Sequence, residues 1–491
     1  MPQKSRDGYH LIVVGAGNAA LTTALTAREQ GAQVVVLEKA PKELRGGNSR
    51  FTGGLFRFAY RSIEEITPLR PDVLAAEWEN IDVGTYPPER FYQDMMRVTG
   101  GLTDPDLSMV LAERSYETVR WLTGLGVRWE WTVLWSVRQG DQLRFNPGAV
   151  LEVENKGIGL TNTLFRVAEE SGIEVQYQSK VVRLLQDRRG RVCGVTVKTP
   201  DGFHDLRARA VVLASGGFQA NPEMRVRYLG PDWNLVKVRG TRFNTGEVLQ
   251  AALDIGAQPV GHWAGCHATP VDANSPPVGD LALTDRTNRL SYPFALMVNV
   301  EGKRFVDEGE DLGQYTYAKT GRSILAQPRS LAFQIFDQKT VHLREKRYET
   351  GKPVVADTLD ELARRLGLDP AALNRTVQEF NAAVRDGEFD PSRKDGKSTA
   401  GLEPPRSNWA QRIDSPPFVA YPVTGGITFT FGGIKIDTQA RVLDTEDNPI
   451  PGLYATGEVT GGFFYFNYPG GAGLMRGAVF GRIAGRNAVG E

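Results

Sequence analysis

The 491-residue sequence contains little cysteine, no long hydrophobic run and no excess charge of either sign. Its two cysteines, Cys193 and Cys266, form no Cys-x-x-Cys motif and are too few for a disulfide framework. This excludes thiolate-bound iron–sulfur clusters and c-type haem from the chain. The longest apolar runs, such as Val34 to Leu37, have the length of a strand, whereas a membrane-spanning helix needs about 18 residues or more. We therefore expect a protein that does not itself span a membrane.

The charge balance and the missing motifs exclude further classes of protein. Lys plus Arg and Asp plus Glu each number 58, so no basic field marks a nucleic-acid-binding protein. No spacing of His, Cys and carboxylates predicts a metal site, and the sequence has neither a Gly-x-Ser-x-Gly motif nor a P-loop lysine. Residues 1–10 lack the apolar segment of a signal peptide, which favours a cytoplasmic location.

Glycine is the residue in excess. The sequence has 54 glycines among 491 residues, whereas an average protein has ~7%. Eight Gly-Gly pairs occur without any collagen-like repeat, so the excess indicates special backbone geometry at particular turns.

The first 40 residues predict a dinucleotide site. A buried strand ending at Val14 leads into Gly15-Ala-Gly-Asn-Ala-Ala20, a helix follows to Gln30, and a second apolar strand ends just before Glu38. This is a βαβ unit with the Gly-x-Gly-x-x-(Gly/Ala) turn and an acidic residue after the second strand. The glycines allow a tight turn and close approach of a pyrophosphate, while the carboxylate can accept hydrogen bonds from ribose hydroxyls.

The pattern along the chain predicts three segments. Residues 1–257 and 423–491 carry most Gly-Gly pairs, whereas residues 258–422 have clustered prolines and two periodic helices. We expect the two glycine-rich ends to form one Rossmann-like α/β domain, with residues 258–422 inserted as an α+β cap. A helix over 104–124 and a hairpin of 175–186 with 191–198 are also expected.

Five segments identify a resemblance to a known family. They are Gly46-Gly-Asn-Ser49, Ala214-Ser-Gly-Gly-Phe218, residues 298–308, Pro449-Ile-Pro-Gly-Leu-Tyr-Ala-Thr-Gly-Glu-Val459 and residues 479–485. Together with the N-terminal turn they resemble the flavoproteins of the fumarate reductase and succinate dehydrogenase superfamily over essentially the whole chain. The resemblance implies a GR2-type flavoprotein fold, bound FAD, and a cap that closes the substrate against the flavin.

The resemblance also assigns the residues that hold FAD. The ADP half, the flavin ring, the ribityl chain and the pyrimidine edge are assigned to Gly15, Gly17, Asn18, Ala19, Glu38, Lys39, Gly46, Asn48, Ser49, Thr52, Gly53, Gly54, Val181, Ala214, Ser215, Gly216, Gly457, Glu458, Gly473 and Leu474. Succinate dehydrogenases attach FAD through a histidine just before the glycine pair matching Gly53-Gly54. None of the five histidines of this chain lies there, so noncovalent FAD is expected.

Three departures from the family concern the substrate. Tyr468 and Phe429 replace the arginine and histidine of two C-terminal motifs, and Tyr317 takes the place of the proton-donating arginine of the cap. The segments around both tyrosines resemble the tricarballylate dehydrogenase branch, which favours a small polycarboxylate. A Tyr-Pro-Gly motif at this place is also similar to 3-ketosteroid Δ1-dehydrogenases, and a fumarate-reductase-like ene reductase or a non-catalytic flavin redox carrier stays open as well.

The expected reaction removes a hydride to flavin N5 and a proton to a base. Tyr317 is the expected base, with a pKa lowered by Lys319 and Arg322, and Tyr468 is expected to polarise a carbonyl or carboxylate. The remaining site residues expected are His267 and Arg322 as catalytic groups, with Arg286, Arg289, Gly471 and Ala472 binding substrate. The resemblance further implies a separate electron acceptor, such as a membrane iron–sulfur or haem protein.

Overall fold

A computed structural model describes residues 8–132 and 136–490. The strands of this part are β1 (Tyr9–Val14), β2 (Val34–Leu37), β3 (Ile81–Asp82), β4 (Trp129–Trp131), β5 (Ser136–Gln139), β6 (Gln142–Phe145), β7 (Leu151–Val153), β8 (Glu174–Gln176), β9 (Lys180–Gln186), β10 (Val192–Thr199), β11 (Gly202–Leu213), β12 (Lys237–Val238), β13 (Pro259–Val260), β14 (Cys266–Asp272), β15 (Leu296–Asn299), β16 (Ala332–Phe336), β17 (Val354–Ala356), β18 (Phe418–Thr430), β19 (Gly433–Ile434), β20 (Arg441–Leu443) and β21 (Pro449–Ala455).

The α-helices of the same residues include one that begins directly after the N-terminal glycine turn and one near the C-terminus. They are α1 (Asn18–Glu29), α2 (Ile63–Ile66), α3 (Pro88–Val98), α4 (Pro105–Gly124), α5 (Lys156–Glu170), α6 (Pro222–Leu229), α7 (Glu247–Asp254), α8 (Tyr317–Leu325), α9 (Leu359–Leu366), α10 (Pro370–Ala383) and α11 (Ala472–Asn487). The helix expected over 104–124 is confirmed as α4. It begins after Asp104, because the Asp104 side chain caps it by accepting hydrogen bonds from the amides of Asp106 and Leu107. No helix of the described ranges is both long enough and apolar enough to cross a membrane.

The first sheet gathers the glycine-rich segments at one edge. Its strand order is β20-β21-β11-β1-β2-β8, and β1, β2, β8, β11 and β21 run parallel. The carboxyl ends of parallel strands share one edge of a sheet, so the residues that follow Val14, Leu37, Leu213 and Ala455 come together there. The sheet therefore collects Gly15, Glu38, Ala214 and the segment before Gly457 at one place, as the βαβ prediction requires.

The expected hairpin needs one correction. Residues 175–186 do not form a single strand: β8 pairs in parallel with β2, whereas β9 pairs antiparallel with β10. Gln178 lies between them with a left-handed φ of 53°, and the Ser179 amide donates to the Glu38 carbonyl at 2.9 Å. This local break sends β8 to the parallel sheet and leaves only residues 180–186 for the hairpin.

The second sheet positions Phe429 and His267 and packs against helix α8, which begins at Tyr317. β18 is its longest strand and pairs with β12, β14, β16 and β17. Phe429 of β18 stands opposite His267 of β14 in this register. Helix α8 approaches β14 very closely, since a Cβ on Gly321 would lie 2.6 Å from the Ala268 carbonyl oxygen. The division of the chain at 257/258 and 422/423 remains a prediction.

Candidate active site

The N-terminal turn is shaped for a close ligand. Gly15 has a left-handed φ of 105°, and a Cβ there would lie 2.5 Å from the Ala214 carbonyl oxygen. Gly17 immediately precedes α1, and the Asn18 amide donates to Ser49 Oγ at 2.9 Å. The first turn of α1 thus faces the cavity with backbone N–H groups, an arrangement that binds pyrophosphate.

Glu38 places a carboxyl group at the end of β2, against the same cavity. Its Oε1 accepts a hydrogen bond from the Ala40 amide at 2.7 Å. Burial raises the pKa of Glu38 to about 7, although nearby backbone amides oppose the shift. Lys39 beside it pairs with Glu247 at 2.9 Å, so the neighbouring charges are already matched.

A second carboxyl group, Glu458, lies farther along the cavity. Its Oε1 accepts from the Thr430 amide at 2.9 Å, and its Oε2 accepts from Asn244 Nδ2 at 3.3 Å. Burial raises the pKa of Glu458 to about 7 as well. Gly457 is required beside it, because a Cβ there would lie 2.8 Å from the Ala19 Cβ. These contacts hold the Glu458 carboxyl group in the lining of the cavity.

Most residues assigned to FAD line one continuous cavity. Those that line it are Gly15, Gly17, Asn18, Ala19, Glu38, Lys39, Asn48, Ser49, Thr52, Gly53, Val181, Ala214, Ser215, Gly216, Gly457, Glu458, Gly473 and Leu474, together with Tyr317, Tyr468 and Gly471. Gly46, Gly54, Ala472, His267, Arg286, Arg289 and Arg322 are not in this lining. None of the five histidines, all of which lie in the described ranges, lines the cavity either.

Two tyrosines meet where the cavity becomes aromatic. The hydroxyl groups of Tyr317, the first residue of α8, and Tyr468 share a hydrogen bond. Their ring centroids are 5.9 Å apart, and the His267 ring lies 4.9 Å from Tyr317 and 5.1 Å from Tyr468. Phe429 stacks on His267 at 5.2 Å. The two phenols therefore lie among aromatic rings at this end of the cavity.

His267 lies behind the tyrosines, outside the cavity lining. Its side chain is 1% exposed, and neither ring nitrogen has a hydrogen-bond partner among the described residues. Burial holds the pKa of His267 well below its ordinary value, so the ring is neutral. In this structure it packs against the phenol pair.

The expected cause of phenol activation needs correction. Lys319 pairs with Glu310 at 2.7 Å, and Arg322 donates to the Ala264 carbonyl with its guanidinium 5.2 Å from the Trp233 ring centroid. Burial raises the pKa of Tyr317 well above its ordinary value and also raises the pKa of Tyr468. The cations that oppose these pKa increases are Arg239 and Arg57.

The arginines expected on the cap have other surroundings. Arg286 is exposed and donates to the Leu283 carbonyl at 3.3 Å. Arg289 is 1% exposed, pairs with Asp272 at 2.5 Å and lies 5.4 Å from the Tyr348 ring centroid. Neither Arg286 nor Arg289, the arginines expected to bind substrate, therefore lines the cavity.

Three other arginines line the cavity, Arg239, Arg347 and Arg476. Arg239 directly follows β12 and donates to Thr428 Oγ1 at 2.9 Å and to the Phe51 carbonyl at 3.2 Å. Arg347 pairs with Glu345 at 2.5 Å, and its Nε donates to Asp285 Oδ2 at 2.8 Å. No local sequence signal marks Arg239: the next residue, Gly240, packs against Asn48, where a Cβ would lie 2.1 Å from Asn48 Oδ1.

Comparison with known proteins identifies the family of the chain. A family model described as FAD binding domain matches residues 10–474. A probable fumarate reductase, Ifc3, from Shewanella frigidimarina is 31% identical over 98% of this chain and 74% of its own. The 4-oxocyclohexanecarboxylate 2-dehydrogenase of Sinomonas cyclohexanicum is 29% identical over 99% of this chain and 94% of its own. The open flavocytochrome c3 fumarate reductase structure has a TM-score of 0.73 and 30% identity, over 99% and 78% of the chains.

The chain belongs to the FAD binding domain family, among flavoproteins related to fumarate reductase. It is an FAD-dependent oxidoreductase, and the predicted α/β flavoprotein fold is confirmed. The residues present fit FAD: a Cβ on Gly15 would collide with the Ala214 carbonyl oxygen, so this turn stays free of side chains, and the carboxyl groups of Glu38 and Glu458 line the same cavity. That FAD binds without a covalent bond, and that the chain is particularly close to tricarballylate dehydrogenases, both remain predictions.

Proposed function

We propose that the protein desaturates a C–C bond next to a ketone carbonyl. The observation that carries this proposal is the hydroxyl–hydroxyl hydrogen bond between Tyr317 and Tyr468 at the aromatic end of the cavity. A phenol is a neutral hydrogen-bond donor suited to a neutral carbonyl oxygen, and it becomes a base after losing its proton.

The chemistry divides between the two phenols. Tyr468 donates a hydrogen bond to the carbonyl oxygen, which makes the neighbouring C–H more acidic, and Tyr317 accepts the proton from that carbon. Bound FAD supplies the acceptor for the hydride that leaves the next carbon. One C–H proton and one hydride are thus lost, a C=C bond forms, and the two electrons remain with the cofactor.

The charges around the cavity support a ketone over a polycarboxylate. Arg347 is already matched by Asp285 and Glu345, and the cap arginines expected to clamp carboxylates do not line the cavity. A tricarboxylate such as tricarballylate needs several free guanidinium groups to balance its charge. Tricarballylate is the second candidate, favoured by the sequence of the two tyrosine segments.

The proposal also covers the electron acceptor and the cellular location. We propose that the electrons leave to a separate iron–sulfur or haem protein, and that the enzyme works in the cytoplasm. The free thiols of Cys193 and Cys266 support this location, and the family resemblance supports the acceptor.

Anaerobic reduction of the bound flavin tests the proposed substrate class. Cyclic ketones, including a 3-ketosteroid, should bleach the flavin absorbance of the wild type, whereas succinate and tricarballylate should not. Tyr317→Phe and Tyr468→Phe should keep their FAD and lose turnover about 100-fold or more, because the first removes the base and the second removes the hydrogen-bond donor to the carbonyl. Bleaching by tricarballylate alone would select the second candidate, and bleaching by no acid or ketone would favour a redox carrier.

A further inference from the structure

Arg239 differs from the other cations that line the cavity. Lys39 and Lys180 both pair with Glu247, and Arg347 pairs with Asp285 and Glu345. Arg476 also lacks a carboxylate within 4 Å among the described residues, but it is 2% exposed and lies within 6 Å of three phenylalanine ring centroids.

The hydrogen bonds of Arg239 leave part of its guanidinium open to a ligand. Nε and Nη1 donate to two neutral oxygens, those of Thr428 and Phe51. Nη2 makes no hydrogen bond to any residue in the described ranges, and no carboxylate of these ranges lies within 4 Å of the group. Its hydrogen-bond partners are neutral, and Asp285, the carboxylate whose charge acts on it, is already paired with Arg347. Such a guanidinium is a strong site for an anion, because charge-assisted hydrogen bonds exceed neutral ones.

The position of Arg239 argues for the substrate as that anion. The FAD pyrophosphate is expected at the first turn of α1, beside Gly15 and Gly17. Arg239 instead lies by Phe51 and Thr428, and its charge acts on Tyr317, Tyr468 and His267. Phe429, the neighbour of Thr428, lies 5.1 Å from the Tyr468 ring centroid, so Arg239 lines the cavity near the end where the phenols lie.

We propose that Arg239 is a carboxylate-binding subsite, so that the substrate is a keto acid with one carboxylate. This inference rests on the proposed function, since the phenol pair takes the ketone while Arg239 takes the carboxylate. One open guanidinium matches one carboxylate, and a second carboxylate would meet only cations that are already paired or enclosed.

A matched pair of ligands tests the subsite. The probes are 4-oxocyclohexanecarboxylate and its amide, 4-oxocyclohexanecarboxamide, which keep the ketone and differ in charge. Calorimetric titration of the anaerobic holoenzyme should show that the wild type binds the acid about tenfold or more tightly than the amide. Flavin reduction should show the same preference in kcat/KM.

The variants separate charge recognition from folding and chemistry. Arg239→Gln should bring the acid-to-amide ratio near one, and Arg239→Lys should restore part of it, each with FAD content measured. Arg242→Gln removes an exposed positive charge of the same segment and should keep the wild-type ratio. Because the ratio compares two ligands on one variant, any effect of Arg239 on the phenols cancels.

Two results would overturn the inference: equal wild-type affinity for acid and amide, or an unchanged preference in Arg239→Gln. Failure of the proposed function gives a different result. In that case the acid binds with Arg239-dependent affinity, but neither the acid nor any ketone reduces the flavin.

Discussion

Glu38 and Glu458 carry carboxyl groups whose pKa burial raises to about 7, and both line the cavity. A ribose hydroxyl donates to the ionised form, so ligand binding favours loss of the proton. We expect the affinity of the apoprotein for FAD to rise with pH between about 6 and 8 and then level off. Titration followed by quenching of flavin fluorescence measures this dependence.

The Glu38→Gln variant is the control for the pH dependence of FAD affinity. It should bind FAD more weakly and show a shallower pH dependence, while the part due to Glu458 persists. The stability of the apoprotein should change with pH in the opposite direction to its FAD affinity. Glu38 and Glu458 keep their protons in the folded chain at pH values where the unfolded chain has lost them, so the free energy of unfolding falls as pH rises through about 5 to 7. An identical slope in Glu38→Gln and wild type would contradict the assignment.

Helices α1 and α11 pack so closely that glycine is needed between them. A Cβ on Gly481 would lie 2.3 Å from Thr22 Oγ1 and 2.8 Å from the Ala19 carbonyl oxygen. The same contact line places Asn18 Nδ2 2.9 Å from the Leu474 carbonyl, which it donates to beside the cavity. A displacement of α11 would therefore disturb both Leu474 and the first turn of α1, which line the cavity.

We expect Gly481→Ala to lower the free energy of unfolding by about 1–3 kcal/mol and to weaken FAD binding, because the added methyl group overpacks this interface. Urea unfolding and FAD titration measure the two effects. Gly124→Ala is a matched helical control at the exposed end of α4, where nothing lies within 4 Å of the new Cβ. It should be neutral or stabilising by up to about 1 kcal/mol, and an equal loss in both variants would argue against overpacking.

The N-terminal βαβ unit and the start of α4 were predictable because their signals are local. The turn from Gly15 to Ala20, the strand before Glu38 and the cap at Asp104 each occupy a few consecutive residues. The cations of the tyrosine end were not predictable in this way. Arg239 reaches Thr428, which is 189 residues away, through the pairing of β12 with β18. Sequence proximity to Tyr317 instead favoured Arg322, whose side chain turns to Trp233.

At the scale of the whole molecule, Arg57 joins three distant parts of the chain. Nε donates to the Gly470 carbonyl at 2.8 Å, Nη2 donates to Gln314 Oε1 at 3.1 Å, and Nη1 donates to the Tyr86 hydroxyl at 2.9 Å. The Gly470 amide in turn donates to the Gln314 carbonyl at 3.1 Å. This fully buried guanidinium thus links the segment after the Gly53-Gly54 turn to the loops that carry Tyr468 and Tyr317.

Arg57 is therefore a positioning residue for the phenol pair. Its charge opposes the burial that raises the pKa of Tyr317 and Tyr468, so Arg57→Gln should raise both pKa values further. Because Tyr317 must lose its proton to act as the base, we expect kcat to rise with pH. Arg57→Gln should move this rise to higher pH and lower the rate at a fixed pH. Arg57→Lys keeps the charge but loses the forked geometry, so it should lower kcat with a smaller shift of the pH profile.

A purely structural role for Arg57 predicts a different pattern, because it would lower the folded fraction without changing the pH profile. Arg482→Lys supplies that comparison: Arg482 is a buried arginine that binds Glu117 at 2.8 Å and Thr118 at 3.2 Å, outside the cavity lining. It should lose stability and keep the kcat of its folded, FAD-loaded molecules. If Arg57→Gln behaves like Arg482→Lys, with an unmoved pH profile per bound FAD, the linkage between Arg57 and the two phenols is refuted.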